Sequence, residues 1–536
     1  MLTYQFANKY CFGTVAIFAI LFAVFPLTDT DIWWHLACAR EWVTTWTPVR
    51  EPVVNVHEYF QQIVALVYNV GGSPLLVAFK AVLWGVVFAL FLWPSVRSLQ
   101  KNDIANTKGV KQSIMPLALF AVLLFVFRFH LEMRPVVFSL VFLGIYWNVL
   151  PSFFEISHSG MALNCSDCFH KIYISKFLVA LALLVLQWVW CKCQGLYILG
   201  PIFASIAFGV GLFDSWKKEI CTKNTALQVF FVILLFAIPL MHREGLNLFL
   251  YPFGLLNRLL GMSPSAVIFA SEIAENRSPF TLLMVGENVL ESMLMIVLCI
   301  IGLVVGVMKL RRPDSCVHGS IIEVTRTLWL FIAAILALIA ERNFVLFLPV
   351  FFAEFPDCKQ TFLHRMASLD LIPFGFKHFQ LISRILTTKC CLLIVAFIAF
   401  LLGLWGKSLS SYDSSIAYQR VPVAATEWMK NHPHQGRLFN DDRAGGYLAF
   451  VNPSDSIFID GRFILKTADF FERYLNYSES PQLFFQDADS LNIDRVVLPL
   501  RYYARWYLLI SSLDSDENWN VSYRDSFFVV IDRQNH

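Results

Sequence analysis

The sequence predicts an α-helical polytopic membrane protein of about eleven spans with a small α/β domain at its C-terminus. Three observations predict this. Hydrophobic residues make up 57% of the chain and charged residues 15%, at a mean hydropathy of +0.59, whereas soluble globular proteins carry roughly 25% charged residues. Apolar stretches close to the ~20 residues that a spanning helix needs recur up to residue 406. From about residue 407 charged and turn residues return. A net charge of +3 is too small to point to nucleic acid.

The apolar stretches fall near 11–28, 64–93, 113–129, 134–152, 177–191, 196–213, 227–241, 281–308, 326–340, 343–356 and 389–406. The second and eighth are long enough to tilt or to include an interfacial helix. The first follows Asn8 and Lys9 in the manner of a signal peptide. Trp33, Trp34 and His35 come after it, however, not a small-residue cleavage site, so it reads as a retained span. Orientation follows from where Lys and Arg fall. Arg97, Lys101, Lys108 and Lys111 follow the second span, Lys171 and Lys176 the fourth, and Lys217 and Lys218 the sixth. Lys309, Arg311 and Arg312 follow the eighth, and Lys359, Arg365, Lys377, Arg384 and Lys389 the tenth. Every even-numbered exit is basic, which puts the N-terminus in the cytoplasm and the C-terminal region outside.

Residues 1–406 are therefore expected to form the transmembrane domain, with a first outer loop at 29–62, and residues 407–536 an extracytoplasmic α/β domain. In the latter a helix is expected near 422–430 and strands at 437–440, 456–459, 495–500 and 527–531. The 12 cysteines argue against a disulfide or zinc framework. Cys11, Cys299, Cys390 and Cys391 lie in apolar runs, while Cys165 with Cys168 and Cys191 with Cys193 are lone pairs without a second pair at zinc spacing.

The informative polar residues stand at the outer ends of the spans. The first outer loop opens with Asp29 and Asp31, continues through Trp33, Trp34 and His35, and closes on Asn55, His57 and Glu58. Other outer hairpins carry Arg128, His130, Glu132 and Arg134, then Lys192 and Gln194, then Glu341, Arg342 and Asn343. The topology gathers these groups in one layer at the outer hydrocarbon boundary, where ionisable residues are costly and mark function. A carboxylate there can take a proton from an acceptor hydroxyl, and Arg or Lys can hold a departing phosphate. Taken singly, Trp33 and Trp34 also fit an interfacial aromatic belt, and Arg128, Arg134 and Arg342 fit snorkelling anchors.

The long outer loop with acids directly after the first span resembles the GT-C glycosyltransferases, membrane enzymes that move a sugar from a polyprenyl- or dolichyl-phosphate carrier to an acceptor outside the cytoplasm. More narrowly, the chain is similar to a group of bacterial polytopic membrane proteins of that architecture. The resemblance is carried by Asp31-Ile32-Trp33-Trp34-His35-Leu36, Asn55-Val56-His57-Glu58-Tyr59, Arg134-Pro135, Trp188 and Glu341-Arg342-Asn343. It continues in Gly436–Asn440 with Gly445-Gly446-Tyr447-Leu448, and in Ile457–Arg462.

What the resemblance implies is a site with Asp31 as base or cation contact, supported by His57 and Glu58. Apart from the resemblance, which assigns Arg134 and Arg342 no role, Asp29, Trp34, His35, Arg134 and Arg342 are expected to bind substrate. The partners would be membrane lipid, a polyprenyl-phosphate-linked sugar donor and an extracytoplasmic acceptor. A divalent cation is the cofactor such a site could use, and no ligand set for it is legible. The bacterial look of the resemblance implies the cytoplasmic membrane. Two other classes compete: a lipid or lipid-linked glycan transporter, and a non-catalytic scaffold on the same fold. Polar groups at one face, with no internal repeat, speak against transport.

Overall fold

The computed structural model describes residues 2–50, 53–102, 114–154, 166–217, 225–263, 267–311, 321–355, 395–502 and 504–534. Several expected cytoplasmic basic residues (Lys108, Lys111, Lys218, Arg312 and those at 359–389) lie outside the described residues, as do Cys165, Cys390 and Cys391.

Each apolar stretch contains a helix. In chain order they are α1 (Leu2–Ala23), α3 (Glu58–Asn102), α4 (Ile114–Val126), α5 (Val136–Phe154), α6 (Ser166–Cys191), α7 (Leu199–Lys217), α8 (Thr225–Ala237), α12 (Val289–Leu310), α13 (Ile321–Ile339), α14 (Phe344–Glu354) and α15 (Val395–Leu409). Between them lie the shorter α2 (Asp31–Arg40), α9 (Leu246–Leu259), α10 (Val267–Glu272) and α11 (Pro279–Val285). Five helices among the described residues are long and apolar enough to cross a membrane, and a sixth span arises if α8 and α9, bent by 101° across the break between Met241 and Leu246, count as one. The chain is an integral membrane protein by this measure. Helix length does not establish the expected number of eleven, because α1, α4, α6 and α15 are apolar over only 10–17 described residues.

The bundle is held by close helix approach. A Cβ on Gly85 of α3 would come to 2.5 Å from Ile20 of α1, one on Gly144 of α5 to 2.8 Å from Leu90, and one on Gly302 of α12 to 2.9 Å from Phe347. In lipid, where apolar contact alone gives no association, such small residues let backbones and side chains interlock. The long second stretch breaks at Gly71 and Gly72, with Gly72 at φ 63°. Pro74, which has no N–H to donate, stands at the start of the second half.

The C-terminal domain contains α16 (Val423–Lys430), β1 (Arg437–Asn440), α17 (Asp442–Val451), α18 (Ala468–Glu479), α19 (Pro481–Ser490), β2 (Ile493–Pro499), α20 (Tyr507–Asp514), β3 (Trp519–Arg524) and β4 (Phe528–Arg533). The strands run in the order β1-β2-β4-β3, with β1 parallel to β2 and the other pairs antiparallel. The parallel pair needs a crossover, and α17 to α19 supply it. Phe439, Tyr474, Phe484, Val496, Trp506 and Val529 fill the core.

One expected strand is corrected. Residues 456–459 form no strand and join no sheet, and their backbone groups meet the Asn440 side chain and the first outer loop instead. Phe458 N–H donates to Asn440 Oδ1 (2.8 Å), Asn440 Nδ2 to the Ile459 carbonyl (2.7 Å), and Trp46 N–H to the Ile457 carbonyl (3.1 Å). Strand β3 was not among the expected strands.

A pH-dependent clamp closes this domain. His434 lies 2.6 Å from Asp494 and 3.7 Å from Asp455. Burial opposes the imidazolium, but the two carboxylates outweigh it and raise His434 to about 9. The raised value means the charged form favours the fold at pH below the unfolded imidazole's range. That stabilisation is lost as pH rises from about 6.5 to about 9. Melting across this window should show a loss on the order of 1–3 kcal/mol, and His434→Gln should flatten it.

Candidate functional site at the helix ends around Asp31

The first outer loop and the C-terminal domain meet on one face of α2. Asp31, Trp34, His35 and Cys38 recur at helical spacing on that helix, and the loop Asp460-Gly461-Arg462 lies along them. A Cβ on Gly461 would fall inside the van der Waals envelope of Asp31 Oδ1, and one on Gly446 of α17 would sit 2.9 Å from the Trp34 nitrogen. Arg462 is pinned by both oxygens of Asp460, donates to Cys38 Sγ (3.4 Å), and stacks over Trp42 (4.7 Å) and Trp34 (5.4 Å). Motifs more than 400 residues apart in sequence are thus one interlocked unit. The rest of the first loop is stitched to the same domain. The buried Lys466 ammonium donates to Thr45 Oγ1 (2.6 Å), to Thr47 Oγ1 (2.7 Å) and to the carbonyls of Thr47 and Pro48.

On the other side of Asp31 stands an ion-paired triad. Arg134 Nε donates to Asp29 Oδ2 (2.9 Å), while Nη1 and Nη2 fork onto Glu275 at 2.6 and 2.7 Å. Nη2 also reaches Asp29 Oδ1 at 3.4 Å, and the Asp31 N–H donates to that same oxygen at 3.3 Å. Four of the five guanidinium donors are therefore engaged by carboxylates. Burial opposes ionisation of Glu275, but Arg134 prevails and holds it at about 2. Asp31 goes the other way. Burial, then the Asp29 charge, push its carboxyl well above the usual range, against the pull of Arg134. Beneath the triad Thr28 hydrogen-bonds Glu132, and the buried Lys80 of α3 donates to the Phe25 carbonyl (2.9 Å).

Not all expected site residues come together around Asp31. Glu58 is half exposed and pairs with Lys192 (2.9 Å), which also holds Glu244 (2.5 Å), so it belongs to a separate ion-pair cluster. His57 is turned toward the Cys193 carbonyl (3.3 Å), and its ring meets that of His35 edge-on at 5.1 Å. Burial lowers His57 to about 4 and His35 well below the usual imidazole range, and both rings pack against Trp34. Trp188 stacks on His242 (4.8 Å). Arg342 is exposed and donates to Asn276 Oδ1 (3.0 Å) at the rim of the triad.

Glu275 was absent from the expected site. The signal was the charged run Glu272, Glu275, Arg277 after the seventh apolar stretch, on the side the topology already assigned to the outer layer. Asn276, which opens an N-x-S triplet, is buried and spent on Arg342 and the Phe269 carbonyl. A cleft of about 200 Å³ opens at the C-terminal end of α2, lined by Arg40, Gln62, Tyr68, Asn69 and Phe450, not beside Asp31.

A divalent cation does not fit among Asp29, Asp31 and Glu275 as they stand. The guanidinium of Arg134 already neutralises two of the three carboxylates and occupies the space between them.

No protein-family model matches the chain, and no curated protein does. Among solved structures, the archaeal oligosaccharyltransferase AglB from Archaeoglobus fulgidus, solved with an inhibitory peptide and a dolichol-phosphate, is similar at 12% identity and a TM-score of 0.48. The match covers 92% of this chain and 70% of that one.

Proposed function

We propose that the protein is a membrane glycosyltransferase that moves a sugar from a polyprenyl-phosphate carrier to an acceptor on the extracytoplasmic side of a bacterial cytoplasmic membrane, with its N-terminus in the cytoplasm. The observation that carries the reading is a half-buried carboxyl, Asp31, outside every ion pair among the described residues. It is set between the Arg134 triad and the Gly461 loop of the outer domain. A carboxyl held high by burial is a stronger base than a solvated one, and near neutrality that suits proton abstraction.

In this reading the acceptor's nucleophilic oxygen or nitrogen attacks the anomeric carbon as the bond from that carbon to the phosphate oxygen breaks. The acceptor proton passes to Asp31, and the lipid phosphate leaves with the bonding electron pair. Asp29, Arg134 and Glu275 position Asp31 and set its charge. Arg134 has too few free donors to clamp phosphate unless the triad opens, so Arg342, with one bond to a neutral amide, is the better phosphate ligand. Trp34 holds α2 against the outer domain, His35 packs on His57 and Phe60, and His57 with Glu58 anchors the start of α3.

Binding of a polyprenyl-phosphate sugar to the purified protein in nanodiscs tests this. Wild type should bind saturably, and Arg342→Ala should bind roughly 10–100-fold more weakly, the cost of a charge-assisted contact. Equal binding by the two proteins would remove Arg342 from the site, and no binding by folded wild type would contradict the reading.

A further inference from the structure

Beside the triad, three separate elements bring metal-ligating side chains to one point. His130 lies on the turn Arg128–His130 between α4 and α5, Glu291 in the first turn of α12, and Glu341 on the turn Glu341–Asn343 between α13 and α14. Their ligand atoms all lie within 4.8 Å of one another, with His130 Nε2 3.6 Å from Glu291 Oε2. Bonds of about 2.0–2.2 Å put two ligands of one ion at most ~4.4 Å apart, so a small inward movement closes the set. His130 and Glu291 are partly open to solvent and leave a path of entry, while Glu341 forms the floor.

Glu341 points independently to a ligand. It is only 6% exposed, yet no hydrogen-bond donor meets its carboxylate among the described residues, and its N–H is spent on the Arg277 carbonyl (3.0 Å). A buried carboxylate without a donor or counter-ion is costly. The charges around it make this worse, since Glu275, Glu287 and Glu291 all face it and His130 alone opposes them. Glu275 is answered by Arg134 and Glu287 by Arg277 at 3.6 Å, which leaves Glu341 and Glu291 around the imidazole.

We infer that His130, Glu291 and Glu341 bind a divalent transition cation that ties together three outer turns beside the Arg134 triad. One imidazole and two carboxylates suit Mn2+ or Zn2+ over Mg2+ and Ca2+, which prefer all-oxygen sets. The ion neutralises the buried carboxylate and fixes the turn that leads to Arg134 and the turn that carries Arg342. The site stands whether or not the protein transfers a sugar.

Mn2+ titration of the full-length protein, read by electron paramagnetic resonance, tests it. Wild type should bind one ion whose echo modulation carries a directly bound nitrogen. His130→Ala should abolish that nitrogen signal, and Glu341→Gln and Glu291→Gln should each weaken binding at least about tenfold. Asp31→Asn should leave binding unchanged. Glu291 is partly exposed, so its variant reads the site even if Glu341→Gln fails to fold. Folded wild type that binds no Mn2+, a nitrogen signal that survives His130→Ala, or binding lost in Asp31→Asn alone would each overturn the inference.

Discussion

Asp31→Asn should lower sugar transfer by about 10²–10⁴-fold while donor binding persists, the usual effect of removing a positioned general base. Asparagine keeps the size of the side chain and so the packing against Gly461, and no ion pair among the described residues is lost. The effect therefore isolates the proton-accepting oxygen. The pH profile gives a second check. Because Asp31 is held above the usual carboxylate range, its basic form accumulates only as pH rises, and transfer should rise with pH beyond the range of an ordinary carboxylate. Asp29→Asn removes the neighbouring negative charge and frees part of Arg134, so it should move that rise to lower pH. The movement is partial, since burial is the larger cause. A profile unmoved by Asp29→Asn would mean that the titrating group is not Asp31.

Gly445→Ala should cost the C-terminal domain about 3 kcal/mol or more, at the upper end of what overpacking causes. A Cβ there would overlap the Ile459 carbonyl oxygen and lie 2.8 Å from Asn440 Nδ2. Neither neighbour can give way easily. Asn440 is fully buried and bonds both the Phe458 N–H and the Ile459 carbonyl, so its displacement strands buried backbone groups. The same substitution loosens the loop that carries Gly461 against Asp31, so transfer should fall with stability. Thermal melting checks the first effect, and the activity of the fraction that remains folded checks the second. An unchanged melting temperature would refute the close packing of α17 on that loop.

Much of this was legible in one dimension, because lipid and helix periodicity speak loudly. Each apolar stretch holds a helix, and β1 has the bounds expected of it, 437–440. The pairing of residues 31–36 with 457–462 was legible only as a set of motifs; that they clasp one another depends on glycine at 446 and 461, which pattern alone cannot reveal. Residues 456–459 looked like a strand because they are apolar and bounded by turns, but a buried asparagine took the place of a neighbouring strand. Strand β3 does alternate, at Trp519, Val521 and Tyr523, so its signal was present in a polar edge. The least legible fact was how far Arg134 is engaged. Sequence marked a cation near a membrane face, and only three-dimensional pairing reveals that Asp29 and Glu275 leave it little room for phosphate.

The most direct measurement is release of polyprenyl phosphate from a labelled polyprenyl-phosphate sugar by the protein in nanodiscs, supplied with extracytoplasmic acceptor extract. Wild type should release lipid phosphate in step with labelled acceptor, and Asp31→Asn should bind the donor but release almost none. Wild type that binds the donor saturably yet releases no more than Asp31→Asn would contradict a transferase and leave a lipid-binding scaffold in its place.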